Sequence, residues 1–311
     1  MCLAAWLLVL AAGLGWGCAA TPDPQAHADP GTIHFFMRVD LPLARARVSG
    51  VDVGFMLLDT GSSTTVLSKD LADRLHLARL GKVPVTGIGG TLTADTCSMS
   101  DLWVGGRSLG ARSATVIDLA PLSRNIGWPV AGIVGFDTIR DQAFTIDFDA
   151  GTVAFDNPEP PAGATVVELR MIGGLAAVPG CIGAHANAWL QIDTGSDGSL
   201  ALSLAAVRQC PDLLSSHANS AGEATGVGGV GNLIQSTLVT VGVFGVELSD
   251  VSMQVELPDH QGLSPTQFGD RSGGTLLVGR MGNQVLRRFR ITFDLPHHRL
   301  WAVARPGPAP R

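Results

Sequence analysis

The chain has 311 residues, 46% of them hydrophobic and 15% charged, which suits about two folded domains and excludes a disordered chain. The formal net charge is −6, and no Lys/Arg cluster interrupts it, which argues against nucleic acid as a partner. Glycine is abundant at 39 residues, and many short apolar runs separated by glycine favour an all-β fold.

The first 20 residues read as an export signal. Leu3 to Ala12 is an apolar run too short to span a bilayer, and it is followed by Gly13 to Ala20. Gly17-Cys18-Ala19-Ala20 resembles the bacterial lipoprotein box, which would put a lipid on Cys18, although Gly15 stands where Leu is usual. Ordinary cleavage after Ala20 or Ala28, or an uncleaved anchor, are the alternatives. The expected location is therefore exported: periplasmic, membrane-anchored through a lipid at Cys18, or secreted. Residues 21–31, rich in Pro, Ala and Asp, read as a tether.

From Ile33 the pattern turns to strands. Val51 to Leu58 reads as a hairpin returning into a buried strand, and that strand stops at Asp59-Thr60-Gly61-Ser62-Ser63. Ser68 is positioned to cap a short helix whose Leu71 and Leu75 share one face. Gly87-Ile88-Gly89-Gly90 suits a hairpin tip that must flex and adopt positive φ. Ala131-Gly132-Ile133-Val134-Gly135 is an apolar strand ending in glycine, and Phe144 to Phe155 forms a closing hairpin around Ala150-Gly151.

Asn157 to Gly163, with three prolines, is the best linker in the chain and divides an N-terminal lobe, 32–157, from a C-terminal lobe, 158–304. After it the order repeats. Leu190-Gln191-Ile192-Asp193-Thr194-Gly195-Ser196 places a second Asp-Thr-Gly-Ser 134 residues after the first. Thr225-Gly226-Val227-Gly228-Gly229 matches the first glycine-rich tip, Thr275 to Gly279 is aligned with Ala131 to Gly135, and Arg288 to Asp294 with Ala143 to Asp149. Four features in one order point to a duplicated unit. Residues 305–311, rich in proline, read as a disordered tail.

Two equivalent carboxylates, one from each lobe, are suited to meet on a pseudo-two-fold axis. Placed a few ångströms apart they cannot both ionise easily and would share one proton. One would take a proton from water as it attacks a peptide carbonyl, and the other would protonate the carbonyl oxygen, with no metal or other cofactor. Gly61 and Gly195 would allow a tight turn with N–H groups near the carboxylates. Thr60 and Thr194 would bond across the halves, and Ser62 and Ser196 would donate to the outer carboxylate oxygens. Gly87, Ile88, Gly89 and Gly90, with Gly226, Val227 and Gly228, would form flaps that exclude water.

Asp59-Thr60-Gly61-Ser62-Ser63, Asp193-Thr194-Gly195-Ser196, Ile133-Val134-Gly135 and Leu277-Val278-Gly279 resemble the pepsin and retropepsin families of aspartic proteases. Gly87 to Gly90 and Arg140 to Phe148 look closer to the retropepsin-like side, as in exported bacterial aspartyl proteases. The resemblance spans roughly 32–304. It implies an all-β, bilobal acid-protease-like fold of two related barrel-like lobes with a cleft between them. It further implies endopeptidase activity on a peptide or protein substrate, with Asp59 and Asp193 as the catalytic pair, in a chain that supplies both lobes and so functions as a monomer. The chain has no Tyr for a pepsin-type flap. Asp197 adds a carboxylate that either points at the pair or is solvated on its turn.

The alternatives are a non-catalytic peptide-binding protein or a structural envelope lipoprotein of the same fold. Cys97, Cys181 and Cys210 match no zinc spacing; they read either as a Cys181–Cys210 disulfide with Cys97 a buried thiol, or as three reduced cysteines.

Overall fold

The computed structural model describes residues 31–87, 90–156, 159–215, 219–226, 229–257 and 277–305. The first half contributes β1 (Thr32–His34), β2 (Phe36–Arg38), β3 (Leu41–Val48), β4 (Val51–Leu58), β5 (Val66–Ser68), β6 (Arg79–Gly87), β7 (Gly90–Val104), β8 (Arg107–Ile117), β9 (Gly132–Val134), β10 (Ala143–Asp147) and β11 (Thr152–Ala154). The second contributes β12 (Thr165–Glu168), β13 (Arg170–Ile172), β14 (Leu175–Ile182), β15 (His185–Ile192), β16 (Leu200–Ser203), β17 (Asn219–Gly226), β18 (Gly229–Val243), β19 (Val246–Glu256), β20 (Leu277–Met281), β21 (Phe289–Asp294) and β22 (Arg299–Ala304).

The duplication is visible in the topology. One eight-stranded sheet runs β2-β3-β4-β9-β5-β8-β7-β6 and the other β13-β14-β15-β20-β16-β19-β18-β17, position for position the same order. In each, an extra pairing (β3 with β7, β14 with β18) curls the sheet back on itself, giving the all-β, barrel-like halves expected. β4 and β15 lie in mid-sheet, parallel to β9 and β20, and are covered on both faces where they approach the aspartates. Met56-Leu57-Leu58 and Ala188 to Ile192 are all buried. Two-sided burial is why these stretches are almost continuously apolar instead of alternating, Gln191 being the one polar residue in them.

The helix caps repeat as well. Ser68 Oγ accepts from Leu71 N–H at 3.2 Å to open the helix Lys69–Arg74, and Ser203 Oγ accepts from Ala206 N–H at 3.0 Å to open Leu204–Gln209.

The closing hairpins of the two halves merge into one six-stranded sheet, β1-β11-β10-β21-β22-β12, which crosses the division at the linker. At its centre Thr145 Oγ1 and Thr292 Oγ1 are 2.9 Å apart, and Phe144 stacks on Phe293 with ring centroids 4.5 Å apart. Thr145 and Thr292 are thus the equivalent pair, which makes Asp147, not Asp149, the counterpart of Asp294. Arg305, placed in the disordered tail by the sequence, is instead held by an ion pair to Asp147 at 2.6 Å and by another to Asp149. Cys97, Cys181 and Cys210 are free thiols, so the disulfide alternative is not what the structure holds. Residues 1–30, with Cys18, and 306–311 lie outside the described residues.

Candidate active site

Asp59 and Asp193 follow β4 and β15 directly, and the backbone holds each in the same way. Asp59 N–H donates to the Val134 carbonyl and Asp193 N–H to the Met281 carbonyl, both at 3.0 Å. Gly61 N–H donates to Asp59 Oδ1 at 2.8 Å, and Gly195 N–H to Asp193 Oδ1 at 2.9 Å. The two turns face each other. Thr60 N–H donates to Thr194 Oγ1 at 3.0 Å and Thr194 N–H to Thr60 Oγ1 at 3.1 Å. The hydroxyls complete the cross-link by donating to carbonyls of the opposite strand: Thr60 to Ile192 at 2.7 Å and Thr194 to Leu58 at 2.8 Å. Four buried hydrogen bonds thus fix the aspartate turns to one another.

The carboxyl groups of Asp59 and Asp193 stand together across this axis, close enough to couple to one another. Asp193 is buried and Asp59 half-buried. Burial first, and then the charge of Asp193, push the Asp59 carboxyl well above the usual carboxylate range. The glycines have a specific role here. A Cβ on Gly61 would lie 2.3 Å from Asp193 Cγ, and one on Gly195 would lie 2.2 Å from Asp59 Cγ. Each glycine makes room for the aspartate of the other half.

The serines differ from expectation. Ser62 Oγ donates to the Thr64 carbonyl at 2.8 Å, and Ser196 Oγ accepts from Gly198 N–H at 3.4 Å, rather than either bonding an outer carboxylate oxygen. The hydroxyl of Ser62 has one hydrogen to give, and the turn uses it. Both serines therefore shape the turns and do not bond the carboxylates. Asp197 is exposed on its turn; the protein packed around it raises its carboxyl above the ordinary range.

The glycine-rich hairpins pair as expected for tips. Gly87 pairs with Gly90 at the end of β6–β7, and Gly226 with Gly229 at the end of β17–β18. Ile88, Gly89, Val227 and Gly228 lie outside the described residues. The helix Ala120–Ile126 of the first half lies against β17 of the second.

The second strand-ending glycine is Gly282, not Gly279. Phe136 N–H donates to the Ser62 carbonyl and Asn283 N–H to the Ser196 carbonyl, at 2.7 and 2.9 Å. Ile133-Val134-Gly135 is therefore matched by Arg280-Met281-Gly282, three residues beyond the alignment read from the sequence. Leu-Val-Gly and Ile-Val-Gly look alike, and hydrophobic pattern alone cannot choose between them. The shift uncovers three residues that sequence reasoning missed. Arg280 Nε lies 3.2 Å from Asp193 Oδ2, and its guanidinium also pairs with Glu256. Asn283 is fully buried, and its Nδ2 donates to the carbonyls of Asp40 at 2.7 Å and Thr194 at 2.8 Å, tying a turn of the first half to the second aspartate turn.

Residues 44–138 match the family model described as Aspartyl protease. The match contains Asp59, Gly87 and Gly135 and ends before the second half, whose relation to the first rests on the shared topology and turn geometry above. No curated protein matches the chain.

Proposed function

We propose that this chain is an aspartic endopeptidase of the retropepsin-like type, with both lobes in one polypeptide and no metal or organic cofactor. The observation that carries the reading is the facing pair of Asp59 and Asp193 on cross-linked turns, each crowded against the glycine of the other half. Two carboxyl groups sharing a proton provide a base and an acid at one point, which is what addition of water to a peptide carbonyl requires. Water loses its proton to one carboxylate as its oxygen attacks the carbonyl carbon. The carbonyl oxygen takes the proton of the other carboxyl. The gem-diol then collapses as the amide nitrogen is protonated and the C–N bond breaks. The match of residues 44–138 to an aspartyl protease family supports the same chemistry.

We further propose that the protein is exported and works as a monomer outside the cytoplasm, free or held by a lipid on Cys18. The support is the apolar run Leu3 to Ala12 followed by Gly17-Cys18-Ala19-Ala20.

The test is incubation of the full chain with a mixed library of unstructured peptides between about pH 3 and 7, with products read by mass spectrometry. Internal cleavages that disappear when a statine-containing peptide is added are expected. No cleavage across that range, or cleavage insensitive to statine and abolished by a chelator, would overturn the proposal.

A further inference from the structure

The two-fold relation of the halves breaks at one place beside the aspartates. Leu57 pairs with Ile133 in the first half, and Gln191 with Arg280 in the second. Ser68 pairs with Ile117, and Ser203 with Glu256. Leu57, Ile117 and Ile133 are thus the counterparts of Gln191, Glu256 and Arg280. In the first half these three belong to a buried apolar cluster with Leu43 and Val66. In the second half the same sites hold an amide, an acid and a guanidinium: Gln191 and Glu256 are buried, and the Arg280 side chain is only 13% exposed.

The fold does not require these charges, because the first half builds the same strands with Leu and Ile in their place. A buried ion pair adds little net stability over apolar residues of similar size. The pair is also lopsided. Glu256 holds one end of the guanidinium, and Nε faces Asp193 Oδ2 at 3.2 Å without the alignment of a full hydrogen bond, leaving that buried N–H unpartnered. At the equivalent place beside Asp59 stands Ile133.

We propose that Arg280 polarises the aspartate pair: in ion-pair contact with Asp193 and held in place by Glu256, it keeps Asp193 as the carboxylate and leaves the shared proton on Asp59. Asp193 then takes the proton from the attacking water, and Asp59 donates to the carbonyl oxygen. On collapse of the gem-diol, Asp193 returns its proton to the leaving nitrogen and Asp59 regains one from a gem-diol hydroxyl, so both groups end as they began. Arg280 is a positioning residue for charge, acting through Asp193. This assignment of roles rests on the proposed peptidase reading.

The other charges near the pair do not reproduce this bias. Among the described residues, Asp197 on Asp193's own turn is exposed and of the wrong sign. Asp40, reaching in from the first half toward Asp197, is paired with Arg287 at 2.6 Å. The charge of Arg280 also acts on Asp59, but burial and Asp193 outweigh it there, and the Asp59 carboxyl stays displaced strongly upward.

The test uses the full chain labelled with ¹³C at aspartate carboxyls, with the two signals assigned from Asp59→Asn and Asp193→Asn. In the wild type the first proton lost from the pair should leave Asp193, and Asp59 should remain protonated. In Arg280→Met that first step should move up by about one pH unit or more, Arg280→Lys should restore most of the shift, and Glu256→Gln should move it down. The double variant Arg280→Met/Glu256→Gln removes both buried charges together and should still show the upward shift. The acid limb of kcat/KM should follow in the same directions. A purely structural role would make Arg280→Met and Glu256→Gln act alike. Shifts of the same sign, or a wild type in which Asp59 is the ionised member, would overturn the proposal. The NMR arm reads the proton without a substrate, so a protein that cleaves no peptide would overturn the peptidase reading separately.

Discussion

Thr60 and Thr194 exchange backbone N–H to hydroxyl hydrogen bonds at 3.0 and 3.1 Å, and each hydroxyl then donates to a strand of the opposite half. The aspartate turns are therefore braced by one another. Thr60→Val keeps the shape of the side chain and removes its hydroxyl, leaving the Thr194 N–H and the Ile192 carbonyl unpaired in a buried site. A loss of roughly 2–4 kcal/mol is expected in urea unfolding, and Thr194→Val should cost about the same. A change below about 0.5 kcal/mol in both would show that the cross-link is not needed to hold the halves in register.

Gly61 and Gly195 are required by space. Neither has a positive φ, yet a Cβ on either would stand within 2.3 Å of the opposite carboxyl carbon. Gly61→Ala and Gly195→Ala should each cost about 1–3 kcal/mol through overpacking. They should also cut kcat/KM on the order of 100-fold by displacing the reacting groups. Thermal melts and steady-state kinetics on a cleaved peptide check both effects; an alanine variant of normal activity would show that the carboxyl groups are not so closely placed.

Asp59 carries a stability cost that depends on pH. Its folded-state carboxyl titrates well above the ordinary value, so over the interval between the two the folded chain binds a proton that the unfolded chain has lost. Stability contributed by that proton is present below the ordinary carboxylate range and declines as pH rises toward the raised value. Asp59→Asn, which cannot ionise, should remove the decline. It should be more stable than the wild type at pH 7 by on the order of 1 kcal/mol, with the gap closing toward pH 4. A constant gap across pH would contradict this assignment.

Asp294 behaves in the opposite sense. Burial alone would raise its carboxyl, but hydrogen bonds and charge from Arg299 and His297 outweigh burial and hold it below the ordinary range. Its oxygens lie 2.5 Å from Arg299 Nε and 2.7 Å from His297 Nδ1, at the end of β21 in the shared sheet. The stability it contributes is present above the ordinary carboxylate range and is lost as pH falls through its lowered value. Asp294→Asn should therefore destabilise at pH 7 and become indistinguishable from the wild type in strong acid, as read by denaturant midpoints along a pH series.

Much of this architecture was legible in the residues. The repeated Asp-Thr-Gly-Ser, the serine caps at Ser68 and the glycine tips at Gly87 and Gly226 are local signals, and local chemistry survives in sequence. Contacts decided by pairing across the sheet did not. Gly279 and Gly282 both follow apolar residues, and only the bonds from Asp193 N–H to the Met281 carbonyl and from Asn283 N–H to the Ser196 carbonyl distinguish them. Choosing Gly279 concealed Arg280, whose charge next to Asp193 would have been evident from the correct alignment with Ile133. The union of the two closing hairpins was hidden for a related reason: β10 and β21 each look like the edge of their own lobe until Phe144 and Phe293 are seen to stack. Ser62 shows a third limit, because a turn hydroxyl has several acceptors within reach and sequence does not say that Thr64 takes it.

The central claim is that Asp59 and Asp193 act as one unit, neither being sufficient alone. Its most direct test is kcat/KM for a single cleaved peptide, compared among the wild type, Asp59→Asn and Asp193→Asn, with folding of each variant checked by thermal melting. The account predicts that both variants fold and that each loses about 10³-fold or more, because each removes a proton-transferring group that the other cannot replace. A variant that folds and keeps activity within tenfold of the wild type would contradict it.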